Sequence, residues 1–168
     1  LVALFLINQL HPYENKIDLL SLYKDLHANP ELSYQEFETS EKLANLLESI
    51  GFEVTRNVGG NGGVALLKNG NGKNIMFRAD MDGLPVEEKT GARYASQKKV
   101  TNLDGEEVFT MHACGHDVHM TVLIGVAEYL FENKSQWQGN LILVLEPAEE
   151  VSGGARNMIK DGLFTRFP

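Results

Sequence analysis

The sequence predicts an α/β domain whose mixed sheet is flanked by helices. Three observations carry that class: apolar residues recur at helical spacing in three segments, short apolar runs bounded by Gly and Asn lie between them, and Leu141 to Leu145 is a continuous apolar run. Leu19, Leu22, Tyr23 and Leu26 mark a helix within Glu14 to His27, which Pro30 stops. Ser33 followed three residues later by Glu36 reads as a capping box, and Leu43, Leu46, Leu47 and Ile50 form the stripe of a second helix ending at Gly51. Val64 to Leu67 and Ile75 to Phe77 read as strands. The turn Asn69-Gly70-Asn71-Gly72 between them tolerates positive φ and predicts a hairpin. Val108 to Met111 reads as a further strand, and Met120, Leu123, Ile124, Ala127, Leu130 and Phe131 as a third helix. Leu141 to Leu145, ended by Pro147, suits a strand covered on both faces. The polar stretch Glu87 to Glu107 reads as a loop over a site.

A chain of 168 residues is the length of one ordinary domain. Its 15 Lys and Arg against 23 Asp and Glu give a net charge of -8, which argues against a nucleic-acid partner. No apolar run approaches the roughly 20 residues of a spanning helix. The single cysteine, Cys114, excludes an internal disulfide and leaves a thiol that is reactive, ligating or buried. Residues 1–11 form an apolar N-terminal segment. Within it Leu1 to Ile7 suits the tail of a signal peptide, a buried strand or an anchor remnant. Both ends look like cuts, so a fragment is expected; the compartment expected is the cytoplasm, with export the alternative if the apolar run is a signal remnant.

Ionisable residues gather where predicted strands end. Ile75 to Phe77 runs into Asp80 and Asp82, Val108 and Phe109 into His112, Cys114, His116, Asp117 and His119, and Leu141 to Leu145 into Glu146, Glu149 and Glu150. Ligands of open α/β sheets bind at the carboxyl ends of strands. The segment Cys114-Gly115-His116-Asp117-Val118-His119 packs four metal-competent side chains into six positions, a donor mixture suited to zinc-type ions. Gly115 lets the backbone fold tightly enough for Cys114 and His116 to face one ion, and Asp117 could orient an imidazole ligand. A structural zinc would need a second pair of ligands that the segment lacks, so a catalytic metal with open positions is the better reading. The rival, a Cys–His nucleophile pair, places His116 poorly for taking the thiol proton.

Met111-His112-Ala113-Cys114-Gly115-His116-Asp117-Val118-His119, Arg78-Ala79-Asp80-Met81-Asp82-Gly83-Leu84-Pro85 and Glu146-Pro147-Ala148-Glu149-Glu150 stand in order, with His27-Ala28-Asn29-Pro30-Glu31-Leu32-Ser33 before them. Together they resemble the amidohydrolase branch of the aminoacylase and carboxypeptidase G-like metallopeptidases, which includes hippurate hydrolases, N-acetyldiaminopimelate deacetylases and plant auxin-conjugate hydrolases. The resemblance implies a zinc-exopeptidase-like catalytic domain, of which residues 12–168 would be the first part, without lid domain or C-terminal half. It implies Cys114, His116 and Glu150 as ligands of two divalent ions, zinc or manganese, and Glu149 as general base. Two further histidine ligands would lie beyond Pro168. Glu146 stands where the family usually has glutamine and adds a negative charge beside Glu149.

The activity expected is hydrolysis of the amide of N-acyl amino acids or similar small amides. Paired metals would activate a water, and Glu149 would move its proton to the departing amine. Beyond Pro147 the strand cannot stay regular, so Glu149 and Glu150 need not point to opposite faces. Asp82 and His119 are further candidates for orienting ligands. The alternative is a truncated, non-catalytic metal-binding domain. A homodimer is expected only of a full-length protein, and the open sheet edge of the fragment is expected beside Leu141 to Leu145.

Overall fold

A computed structural model of the chain describes residues 17–167. The apolar run Leu1 to Ile7 lies outside the described residues. Helix α1 (Leu19–Ala28) begins at Asp18, whose Oδ1 accepts the N–H groups of Leu20 and Ser21, each at 3.1 Å. It buries Leu22 and Leu26. Helix α2 (Phe37–Ile50) buries Leu43, Ala44 and Leu47 and ends at Gly51, whose φ of 117° suits only glycine. The expected capping box is not formed. Ser33 and Glu36 are both drawn inward to other partners, and the first-turn N–H groups of Glu38 and Thr39 are accepted instead by the carboxylate of Glu31, at 3.3 and 2.8 Å.

Strands β1 (Glu53–Arg56), β2 (Gly63–Asn69), β3 (Asn74–Asp80) and β6 (Gly139–Glu146) make a four-stranded sheet in the order β1-β2-β6-β3. Strand β6 is antiparallel to β2 and parallel to β3, so the sheet is mixed as expected. The predicted hairpin is replaced by an insertion. The turn after Asn69 reverses the chain, but β6 lies between β2 and β3, with Asn69 opposite Gly139 and Asn74 opposite Asn140. The reason is burial: the run from Leu141 to Leu145 is apolar toward both faces and is satisfied only at the centre of a sheet. The strand of Leu141 to Leu145 is thus internal, and the sheet edge beside it is formed by β3. Among the described residues the edges are β1 and β3.

On one face, Ala65, Leu67, Leu141, Leu143 and Leu145 pack against α1, α2 and α3 (His116–Glu132) through Leu26, Leu43, Met120 and Ile124. On the other, Val64, Ile142 and Val144 meet Met158 of α4 (Gly154–Lys160) and Leu163 of α5 (Leu163–Arg166). A separate hairpin, β4 (Lys99–Thr101) with β5 (Glu107–Phe109), arises from the polar stretch and the predicted strand at Val108. Among the described residues no helix is long and apolar enough to cross a membrane.

Candidate metal centre

Three segments meet at the carboxyl ends of the parallel strands β3 and β6: the end of β3 with Asp80 and Asp82, the first turn of α3, and the loop after β6. Gly115 precedes α3 with φ of 81° and leaves its carbonyl to accept from the N–H groups of Val118 and His119. This turn sets His116 at the helix start, buried. Its Nδ1 lies 2.7 Å from the carbonyl oxygen of Asp82, an acceptor, so Nδ1 carries the proton and Nε2 faces the opposite way. Nε2 is 3.7 Å from Oε2 of Glu149 and 3.8 Å from Oε1 of Glu150.

Both glutamates reach the same nitrogen because β6 ends at Glu146 and Ala148 takes a left-handed φ of 48°. The N–H groups of Glu149 and Glu150 donate to the Asp82 carboxylate at 3.1 and 3.0 Å, and Ser33 Oγ donates to it at 2.6 Å. Burial disfavours the charge on Asp82, but these donors and His116 outweigh it and hold the carboxyl below its usual range. For His116 burial again opposes charge, while Asp82 and Asp80 push the imidazole up to about 9.

Among the described residues two groups of side chains offer ligand atoms within 4.8 Å of one another: Asp80, His116 and His119, and His116, Glu149 and Glu150. In the first, Asp80 is already engaged, with Oδ1 2.6 Å from His119 Nδ1 and Oδ2 3.2 Å from Arg78. In the second, Oε1 of Glu150 is buried and has no hydrogen-bond partner among the described residues. An orphaned carboxylate oxygen beside an imidazole is what a divalent cation would satisfy, so the second group fits a metal better. Cys114 is exposed, and its thiol lies against Glu150, which pushes its pKa up. It belongs to neither group of three.

Other expected residues have different neighbours. Asp117 faces His27, with Oδ2 2.6 Å from Nδ1, and His27 Nε2 lies 3.1 Å from Glu88. His119 stacks on His116 with ring centroids 5.7 Å apart. Glu146 turns away from Glu149: one oxygen pairs with Arg78 and the other accepts from Ala155 N–H at 3.0 Å. His112, whose two ring nitrogens have no partner among the described residues, is pushed down to about 4 by burial and stays neutral. Asp80 is placed at the end of its strand by the sequence, but Glu36 reads there only as a capping residue and His27 only as part of a motif, because their decisive partners, Ala148 and Asp117, lie 112 and 90 positions away; Glu88 carries no local signal.

The model of peptidase family M20/M25/M40 matches residues 76–168. The chain belongs to that family. This M20-family chain is 46% identical over 143 residues to a hippurate hydrolase of Campylobacter jejuni, covering 84% of itself and 34% of that protein. It is 39% identical over 145 residues to an N-acetyl-L-cysteine deacetylase of Bacillus subtilis, covering 86% of itself and 33% of the relative. It is also 36% identical to IAA-amino acid hydrolase ILR1-like 2 of Arabidopsis thaliana, covering 86% of itself and 31% of that protein. Among solved structures, the YXEP protein of Bacillus subtilis, described as a dinuclear metal binding peptidase of the M20 family, superposes with a TM-score of 0.76 at 35% identity, over 86% of this chain and 38% of that one. The M20-family chain thus spans about a third of the length of the curated relatives it matches.

Proposed function

We propose that this chain carries part of the centre of a metal-dependent amidohydrolase acting on N-acyl amino acids or similar small amides. The observation that carries the reading is the approach of Glu149 and Glu150 to His116 Nε2, with Glu150 Oε1 buried and unpartnered among the described residues. Cys114, His116 and Glu150 would hold metal in a site for two divalent ions, zinc or manganese. Bound ions of this kind supply an acidified water and polarise the amide carbonyl.

Glu149 is the general base in this reading. Its side chain is 40% exposed against 18% for Glu150, which suits one carboxylate that meets water and another that grips an ion. It removes a proton from the water and hands it to the departing nitrogen. Asp82 fixes the His116 ring through Nδ1, so that Nε2 stays free to ligate. The names of the relatives support the substrate class, since hippurate, N-acetylcysteine and IAA-amino acid conjugates all join an acyl group to an amino acid through an amide.

Residues 12–168 are, in the same proposal, the first part of a longer catalytic domain whose remainder supplies the other ligands, the lid and any dimer interface. The position of β3 at the edge of the sheet among the described residues supports this. The test uses the complete protein encoded by the reading frame that contains the chain. Glu149→Gln should keep its metal and lose turnover by about a thousandfold, whereas Glu150→Gln and Cys114→Ala should lose most of the metal by elemental analysis. Near-normal turnover in the first variant, or full metal occupancy in the other two, would reverse the assignments.

A further inference from the structure

The turn at Ala148 decides where Glu149 and Glu150 point, and it is gripped from two sides. Its left-handed φ of 48° is unfavourable for a residue with a Cβ and persists only where surroundings hold it. On one side, Asp82 accepts the N–H groups of Glu149 and Glu150. On the other, Oε1 of Glu36 accepts the N–H of Ala148 itself at 2.7 Å, across 112 positions of sequence. Three consecutive N–H groups thus end on two buried carboxylates.

Glu36 is fully buried. The same Oε1 accepts from Tyr34 N–H at 3.0 Å, and Oε2 accepts from Asn61 Nδ2 at 3.2 Å. A carboxylate is a costly group to bury, and a side chain that only filled the space would not need to be one. What this one does is receive three N–H donors from three loops, one of them the turn that carries the glutamates. It is not in either group of ligand atoms near His116.

We propose that Glu36 is a positioning residue for amide hydrolysis: by accepting the Ala148 N–H it fixes the turn that aims Glu149 and Glu150 at the centre. The inference rests on the roles proposed for those two glutamates. Without that acceptor, the N–H side of the turn is held by Asp82 alone while its carbonyls still accept from Ser152, Gly153 and Gly154, and the base and its neighbour shift together. Proton transfer and ligation both depend on sub-ångström placement, so both should weaken.

The test compares Glu36→Ala and Glu36→Gln in the complete protein. The Ala148 and Tyr34 donors share one oxygen, so glutamine can keep an acceptor there, and its kcat should stay within about threefold of the parent. Glu36→Ala, assayed well below its melting temperature and normalised to folded, metal-loaded enzyme, should lose about 30-fold in kcat with KM changed by less than about threefold. Zinc titrated into the metal-free Ala variant should bind about tenfold more weakly, because Glu150 rides on the same turn. A folded Ala variant with parental kcat and zinc affinity would reduce Glu36 to a stabilising role and overturn the proposal, as would a Gln variant as impaired as Ala. Should Glu36→Ala not fold, Glu36→Asp, which withdraws the acceptor by one methylene, is assayed with the same expectations. Glu149→Gln run in parallel separates the two ideas. If that variant turns over normally, the base assignment fails, while zinc affinity still reports on the turn.

Discussion

The carboxylate of Asp82 lies 3.4 Å from Nδ1 of His116, and the carbonyl oxygen of the same aspartate accepts from that nitrogen at 2.7 Å. One residue therefore sets the tautomer of the imidazole through its backbone and, through its side chain, receives the N–H groups of both glutamates that face the other side of the ring. The two halves of the candidate centre, one on α3 and one after β6, are joined through this single buried group.

Replacing Asp82 by alanine should therefore disconnect ligands it does not itself supply. Partners that orient metal ligands typically contribute ten- to hundredfold in affinity, and zinc binding to the metal-free Asp82→Ala protein is expected to weaken by about that factor. The variant should also lose stability, since three donors lose their acceptor. Zinc titration calorimetry checks the first expectation. Parental zinc affinity in a folded variant would mean that the backbone carbonyl alone orders His116.

His27 gives a pH expectation. Both of its ring nitrogens face carboxylates, Asp117 at 2.6 Å and Glu88 at 3.1 Å, and the rings of Tyr23 and Tyr94 lie 5.7 and 5.3 Å from it. Burial disfavours the imidazolium, but Glu88 and Asp117 outweigh it and raise the pKa above 6.5. A raised folded-state pKa means that the stabilisation is fully present below the unfolded value and is lost as pH rises through the folded one. The urea unfolding free energy should thus decline from about pH 6 upward. His116 contributes with the same sign in metal-free protein, so the diagnostic quantity is the difference between parent and His27→Gln. That difference should be greatest at the acid end and shrink as pH rises, and His27→Ala should cost about 3 kcal/mol there by leaving two buried carboxylates unpaired. A difference constant across the range would remove His27 as the source.

What the sequence made legible is what local pattern encodes. The helices, the buried strand at Leu141 to Leu145 and the convergence of Asp82, His116, Glu149 and Glu150 follow from periodicity and from the rule that strand ends share an edge. What was misread depended on distant partners. A Ser-x-x-Glu pattern says nothing of a carboxylate 49 residues away that takes the serine, nor of a turn 112 residues away that takes the glutamate. Asn-Gly repeats announce a reversal but not whether a third strand enters between the two arms. Asp117 reads locally as a neighbour of His116, yet its carboxylate is held by His27, 90 residues distant. Glu146 beside Glu149 suggests electrostatic interference until Arg78, 68 residues back, is seen to pair with it.

The remaining prediction follows from the sheet order. With β6 internal, β3 is an edge strand among the described residues; its Ile75 and Phe77 are 56% and 42% exposed, and beside it α3 presents Val122 and Tyr129 at 57% and 58%. Phe77, Val122, Val126 and Tyr129 line one shallow apolar groove. A sheet-edge strand next to exposed apolar surface favours association between copies. The 168-residue chain alone is expected to self-associate with concentration, to show little amidase activity, and to do so less readily when Ile75 and Phe77 are both replaced by lysine, a residue that protects edges by charge. Extending the chain through its downstream coding sequence should cover β3, abolish the association and restore hydrolysis of an N-acyl amino acid. Sedimentation velocity on the three forms reads the first two effects, and an amidase assay reads the third. A monodisperse, metal-loaded and fully active 168-residue preparation would show that β3 needs no cover and that the centre is complete without further ligands, contrary to the reading of residues 12–168 as part of a longer domain.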